Sequence, residues 1–256
     1  MMKKVFALAL VASSVFAGKA QFCQERNDQD FVRMQMKNRP YQTAMGFQNQ
    51  GGLVNGGVCW WHSRFHRNAL YLGLFQPNKE RPSEEEAQAI IKAIRKGKKV
   101  VKIPGYRNLR SFSRDFSYLI QDELEAWQKT DGFINQQWII GLAGTSKRSA
   151  SGMKKSMDNL YDYVVKEGNV AYQKLQIKGI TAHAWLVVDM KKLDHGYRLS
   201  VVDSNFPGQV DEIYYQEGDT HLNHSSFTSF YGDFAPYTGR KSELRKVNRA
   251  IKKFCR

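Results

Sequence analysis

Three residues of this 256-residue chain have the types and the setting for acyl chemistry: Cys59, His183 and Asp203. Cys59 lies in Gly56-Gly57-Val58-Cys59-Trp60-Trp61-His62, behind two glycines and at the start of a helical apolar pattern. A thiol is a poor nucleophile until it ionises. A helix N-terminus favours the thiolate through its free N–H groups and the positive end of its dipole. Glycines in front of it allow close approach to a substrate and leave N–H groups that can stabilise an oxyanion. Such a nucleophile needs a base, and the base needs an orienting group. Thr181-Ala182-His183-Ala184-Trp185-Leu186-Val187-Val188 places a histidine in an apolar strand, and Leu199-Ser200-Val201-Val202-Asp203 ends the next strand with an acid.

Each of the three also has a plainer role open to it. Cys59 suits a small buried apolar site, His183 a hydrogen-bonded core position, and Asp203 a cap for the turn at Pro207-Gly208. Cys59, His62 and His66 share a helical face, but Ser63 follows His62 where a zinc-peptidase helix needs glutamate, so no metal is expected. No cofactor is expected either. The chain holds three cysteines, Cys23, Cys59 and Cys255. One pair and one remainder is the natural outcome in an oxidising compartment. Domain termini often lie close together, which favours a Cys23–Cys255 disulfide and leaves the Cys59 thiol outside it.

The elements that must position these residues follow from pattern. Lys3 and Lys4 precede an apolar run from Val5 to Phe16, with Ala17 and Ala20 as cleavage positions. Residues 1–20 read as a secretory signal of bacterial type, and the run is too short to cross a bilayer of about 30 Å. The expected location is secreted or periplasmic. Residues 21–50 form a polar lead-in without a sustained period, and residues 51–256 the domain proper. Trp61, Phe65, Ala69 and Leu72 recur at helical spacing from Cys59 onward. Ser83 and Glu86 form a capping box for a helix that Gly97 closes. A short strand is expected over Lys99–Ile103. Two helical pieces follow over 109–142, broken near Asp131-Gly132, and then a helix over 151–167 ended by Gly168. Val170–Ile177, Thr181–Met190, Tyr197–Asp203 and Val210–Tyr215 read as an antiparallel meander, and an amphipathic helix runs from about Lys241 to Phe254. This order predicts an α+β fold. Adjacent antiparallel strands would bring His183 and Asp203 to one edge of the sheet. The formal charge of +15, about +12 without Lys3, Lys4 and Lys19, favours anionic partners such as a cell-envelope surface. No nucleic-acid-binding motif is present.

The Gly-Gly-x-Cys-Trp helix start, His183-Ala184 in a strand, and Asp203-x-Asn205-x-x-Gly208 after the next strand together resemble papain-fold cysteine peptidases. The nearest likeness is to the Cys/His/Asp subgroup with YopT-like secreted bacterial proteases, over roughly residues 50–210. The resemblance implies a papain-like fold, a helical half carrying the nucleophile against an antiparallel sheet. It also implies a protein or peptide substrate cleaved through an acyl-thioester, with Cys59 as nucleophile, His183 as general base and acid, and Asp203 orienting the imidazole. The family's oxyanion glutamine falls at Leu53 here; Asn55 and Gln50 are the nearby amides able to donate. His183-Ala184-Trp185 also resembles transglutaminase-like domains, which implies acyl transfer or cell-wall amidase action on the same residues. A basic protein that binds an anionic envelope polymer without catalysis is the third reading.

Overall fold

A computed structural model describes residues 18–53, 57–134, 148–177, 182–222, 234–238 and 241–256. Residues 1–17 of the signal expected over 1–20, and the amide candidate Asn55, lie outside these residues, whereas residues 18–20 begin the first helix. The chain is helical where the sequence pattern gave no period: α1 covers 18–27, α2 Phe31–Asn38 and α3 Pro40–Thr43. Val32 and Met36 form the buried side of α2, and Arg33 is buried between them. That arginine pairs with Asp30 and Asp189, so its charge is compensated inside the protein while it breaks the apolar pattern. Met36 and Met45 belong to the same core as the rest of the domain.

Helix α4 (Cys59–Leu72) has the expected bounds, but all fourteen of its residues are buried rather than one face. It packs on α5 (Glu84–Lys96), α7 (Ser117–Lys129) and α9 (Lys241–Cys255), and on strands β3 (Ala171–Ile177) and β4 (Ala182–Leu193). A helix enclosed on every side is ordinarily apolar all round, and this one carries His62, Arg64, His66 and Arg67. The charges are met from outside the helix. Arg64 pairs with Asp131 and, at 2.8 Å, with Glu243 of α9, and Arg67 meets Glu243 at 3.0 Å.

Strand β1 (Gly73–Gln76) follows α4 directly and pairs in parallel with β2 (Val101–Pro104). Parallel neighbours need a crossover, and α5 supplies it, with the Ser83 capping box in place and Gly97 left-handed at φ 63°. The sequence pattern missed β1, whose four residues are too few to show a period. Between α6 (Leu109–Asp115) and α7 the chain breaks at Phe116, whereas at Asp131-Gly132 it continues as a π-helical turn over Thr130–Ile134. Helix α8 (Ala150–Tyr161) runs into a second such turn, Asp162–Lys166.

Strands β3 (Ala171–Ile177), β4 (Ala182–Leu193), β5 (Gly196–Asp203), β6 (Asp211–Gln216) and β7 (Phe234–Thr238) form an antiparallel sheet in the order β6-β5-β4-β3-β7. The meander is the expected one, and β7 extends it beyond β3. β5 is buried along nearly its whole length, as fits a strand covered on both faces. The architecture is therefore α+β, with the antiparallel sheet in the second half. Cys23 and Cys255 are disulfide-bonded with their Cα atoms 5.5 Å apart, which ties α1 to α9. Among the described residues no helix is long and apolar enough to cross a membrane.

Candidate active site

Cys59 is the first residue of α4, and a loop built on glycines leads into it. Gly57 has a φ of 77°, a conformation that disfavours any side chain. Its N–H donates to the Gly51 carbonyl at 2.8 Å. One ridge of α7 holds this loop. Gln128 donates to the Gly57 carbonyl at 3.1 Å and accepts from the Leu53 N–H at 3.0 Å. Glu125 accepts from the Gly52 N–H at 3.1 Å, and Gln121 donates to the Gln50 carbonyl at 2.9 Å. Gln121, Glu125 and Gln128 stand one helical turn apart, so one ridge meets four loop residues, Gln50, Gly52, Leu53 and Gly57.

His183 and Asp203 come from adjacent strands. Trp185 of β4 faces Asp203 of β5, with His183 two residues before it. The imidazole Nε2–H donates to Asp203 Oδ2 at 2.7 Å. The other ring nitrogen is left for Cys59, whose thiol is hydrogen-bonded to the His183 side chain. Two further bonds seat α4 on β4: Trp60 Nε1 donates to the His183 carbonyl and Ser63 Oγ to the Ala184 carbonyl, each at 3.2 Å. The three residues expected from sequence thus meet at one point, with exposures of 7% for Cys59, 3% for His183 and 1% for Asp203. Burial opposes a charged imidazole there. The Asp203 carboxylate and the Cys59 sulfur outweigh it and hold the His183 pKa well above 6.5. Asp203 is itself fixed, its Oδ1 accepting the Asn205 N–H at 2.7 Å.

The histidines of α4 serve another purpose. His62 Nε2 donates to the Phe47 carbonyl at 3.3 Å and His66 Nε2 to the Thr43 carbonyl at 2.8 Å. Both rings are fully buried. Desolvation, reinforced for His62 by His66, lowers the His62 pKa to about 3; desolvation lowers that of His66 to about 4. They are neutral struts between α4 and the 43–47 segment, with Nε2 committed to the backbone. Among the described residues no group of three His, Cys, Asp or Glu is placed to hold a metal ion.

Gln50, one of the two amides considered for the oxyanion, is exposed and contributes its carbonyl to Gln121. The sequence reading passed over Asn49, which touches both Val58 and Asn205. It also passed over the α7 ridge, although Gln121-x-x-x-Glu125-x-x-Gln128 is legible as a polar stripe at helical spacing. A cavity of about 710 Å³ lies elsewhere, beside the disulfide, lined by Arg26, Tyr71, Asn169 and Asn248 among others. It contains none of the three residues. No protein-family model, curated protein or solved structure matches this chain.

Proposed function

We propose that this protein is an exported, papain-fold thiol hydrolase that cleaves amide bonds, peptide bonds foremost, through an acyl-thioester on Cys59. One observation carries the reading: a buried thiol, imidazole and carboxylate in hydrogen-bonded sequence at a helix N-terminus. In the proposed cycle His183 holds the proton given up by the Cys59 thiol, and the thiolate paired with that imidazolium attacks the substrate carbonyl. The oxyanion forms beside the first N–H groups of α4, where partial positive charge is already oriented. His183 then returns the proton to the leaving amine, and the C–N bond breaks to leave the acyl-thioester. A water molecule, deprotonated by the same imidazole, attacks the thioester carbonyl; the acid departs and the thiol is regenerated. Asp203 keeps Nε2 protonated and stabilises the imidazolium at each stage.

Transfer of the acyl group to an amine, as in transglutaminase-like domains, uses the same residues and differs only in the acceptor. The test is to incubate the full chain with denatured protein substrates, with and without a labelled primary amine. New N-termini mark hydrolysis and amine incorporation marks transfer, and Cys59→Ser should abolish either. If wild-type protein yields neither, or Cys59→Ser retains the activity, the reading fails. A protein that only binds an anionic envelope polymer would draw on the exposed Arg245, Arg249 and Lys252 of α9, and Cys59→Ser would leave that binding intact.

A further inference from the structure

Asn49, in the segment between α3 and α4, bonds to both halves of the site. Its side-chain Oδ1 accepts the Val58 N–H at 2.6 Å. Its Nδ2 donates to Asn205 Oδ1 at 2.8 Å, and its backbone N–H donates to the Ser204 carbonyl at 2.8 Å. Val58 immediately precedes Cys59, while Ser204 and Asn205 immediately follow Asp203. The Asn205 N–H in turn caps Asp203 Oδ1. A single side chain therefore completes a path from the backbone carrying the nucleophile to the carboxylate orienting the base.

The residue type fits the task. The site needs an acceptor toward Val58 and a donor toward Asn205 on a short stem. Asparagine supplies both, alanine neither, and glutamine carries the amide one methylene further out. Gly57 lies close against the amide. A Cβ placed on Gly57 would stand 2.6 Å from Asn49 Nδ2 and 2.9 Å from Oδ1, so Gly57 is required by this contact as well as by its φ.

We propose that Asn49 is a positioning residue that sets the placement of the Cys59 thiol against the His183–Asp203 pair. This rests on the reading of those three residues as a catalytic unit. Asn49 touches no substrate and moves no proton. It acts by holding the helix start to the turn after β5, and small displacements in such a unit cost reactivity steeply. A residue that only staples a loop would contribute to stability and leave the reactivity of the folded site alone.

The experiment is a double-mutant cycle read by the rate at which iodoacetamide alkylates Cys59 in the folded, full-length protein between pH 5 and 9. His183→Ala should slow alkylation at pH 7 by roughly tenfold or more, and Asn49→Ala should slow it by a similar factor and displace the pH profile. In the His183→Ala background, Asn49→Ala should add less than about twofold, because the two act through one unit. If His183→Ala is slow while Asn49→Ala keeps the wild-type rate, or Asn49→Ala has the same factor in both backgrounds, the positioning role is overturned and the catalytic unit stands. If His183→Ala itself changes nothing, the unit fails and the proposal with it. Should Asn49→Ala not fold, Asn205→Ala replaces it in the cycle. That variant cuts the path at its far end and leaves the Val58 bond, the same outcomes are expected, and an unchanged rate overturns the proposal.

Discussion

His183 is a residue whose charge is decided by its neighbours. Burial alone would keep it neutral, and Asp203 with Cys59 reverses that balance. A group whose folded pKa lies above its unfolded value contributes stability in full below pH 6.5 and loses it as pH rises through the folded value. Asp203→Asn keeps a hydrogen-bonding oxygen and removes the charge, so burial should prevail. Imidazole ¹⁵N NMR is expected to show His183 protonated above pH 7 in the wild type and titrating below 6.5 in Asp203→Asn. A common value near 6.5 in both proteins would contradict the charge balance described here. At this scale the sequence was informative where a residue stands out among its immediate neighbours. Cys59 follows glycines, His183 interrupts an apolar strand and Asp203 closes one. Asn49 stands out from nothing nearby, and one of its partners, Asn205, lies 156 residues away; Gln128 belongs to a visible polar stripe, but its partner Gly57 lies 71 residues away.

At the scale of the element, α4 combines the Cys59 thiol at its start with His62, Arg64, His66 and Arg67 sealed along its length. The two histidines make its packing acid-sensitive. Their folded pKa values lie below 6.5, so the stability they permit is complete above that pH and declines as pH falls toward about 4 and about 3. Each contributes about 1.4 kcal/mol per pH unit, which puts the combined loss at pH 5 on the order of 4 kcal/mol. His66→Gln places an amide donor where Nε2 stood and removes one of the two titrations. Urea midpoints should then fall less steeply between pH 6.5 and 4.5, and an unchanged slope would count against the assignment. The arginines depend on α9: Glu243→Gln leaves Arg67 without its ion pair and weakens that of Arg64. The expected cost is about 3–5 kcal/mol, since a buried charge then lacks compensation, and denaturant unfolding measures it directly. Elements were legible where local chemistry marks their ends, as with the Ser83 box and Gly97 of α5. They were obscure where tertiary partners allow a pattern to break, as at Arg33 in α2, or where an element is as short as β1.

At the scale of the whole molecule, the two ends of the described chain are joined. The Cys23–Cys255 bridge spans 232 residues, and chain entropy assigns closure of so long a loop about 5 kcal/mol. Replacing both cysteines by serine should lower the unfolding free energy by about 2–5 kcal/mol, read from urea curves of the two proteins. A difference within about 1 kcal/mol would mean that packing alone holds the ends, through contacts such as Phe22 against Phe254. The bridge was legible from cysteine count and position. The entry of residues 31–45 into the core was not, because those helices bury few apolar residues and rely on charge pairs with β4. Acylation of Cys59, on which the proposed function rests, is read by rapid mixing with p-nitrophenyl acetate followed by peptide mass spectrometry. A burst approaching one p-nitrophenol per chain is expected, with the acetyl group on Cys59, lost in Cys59→Ser and sharply slowed in His183→Ala. An absent burst, or acetylation confined to lysines, would contradict it.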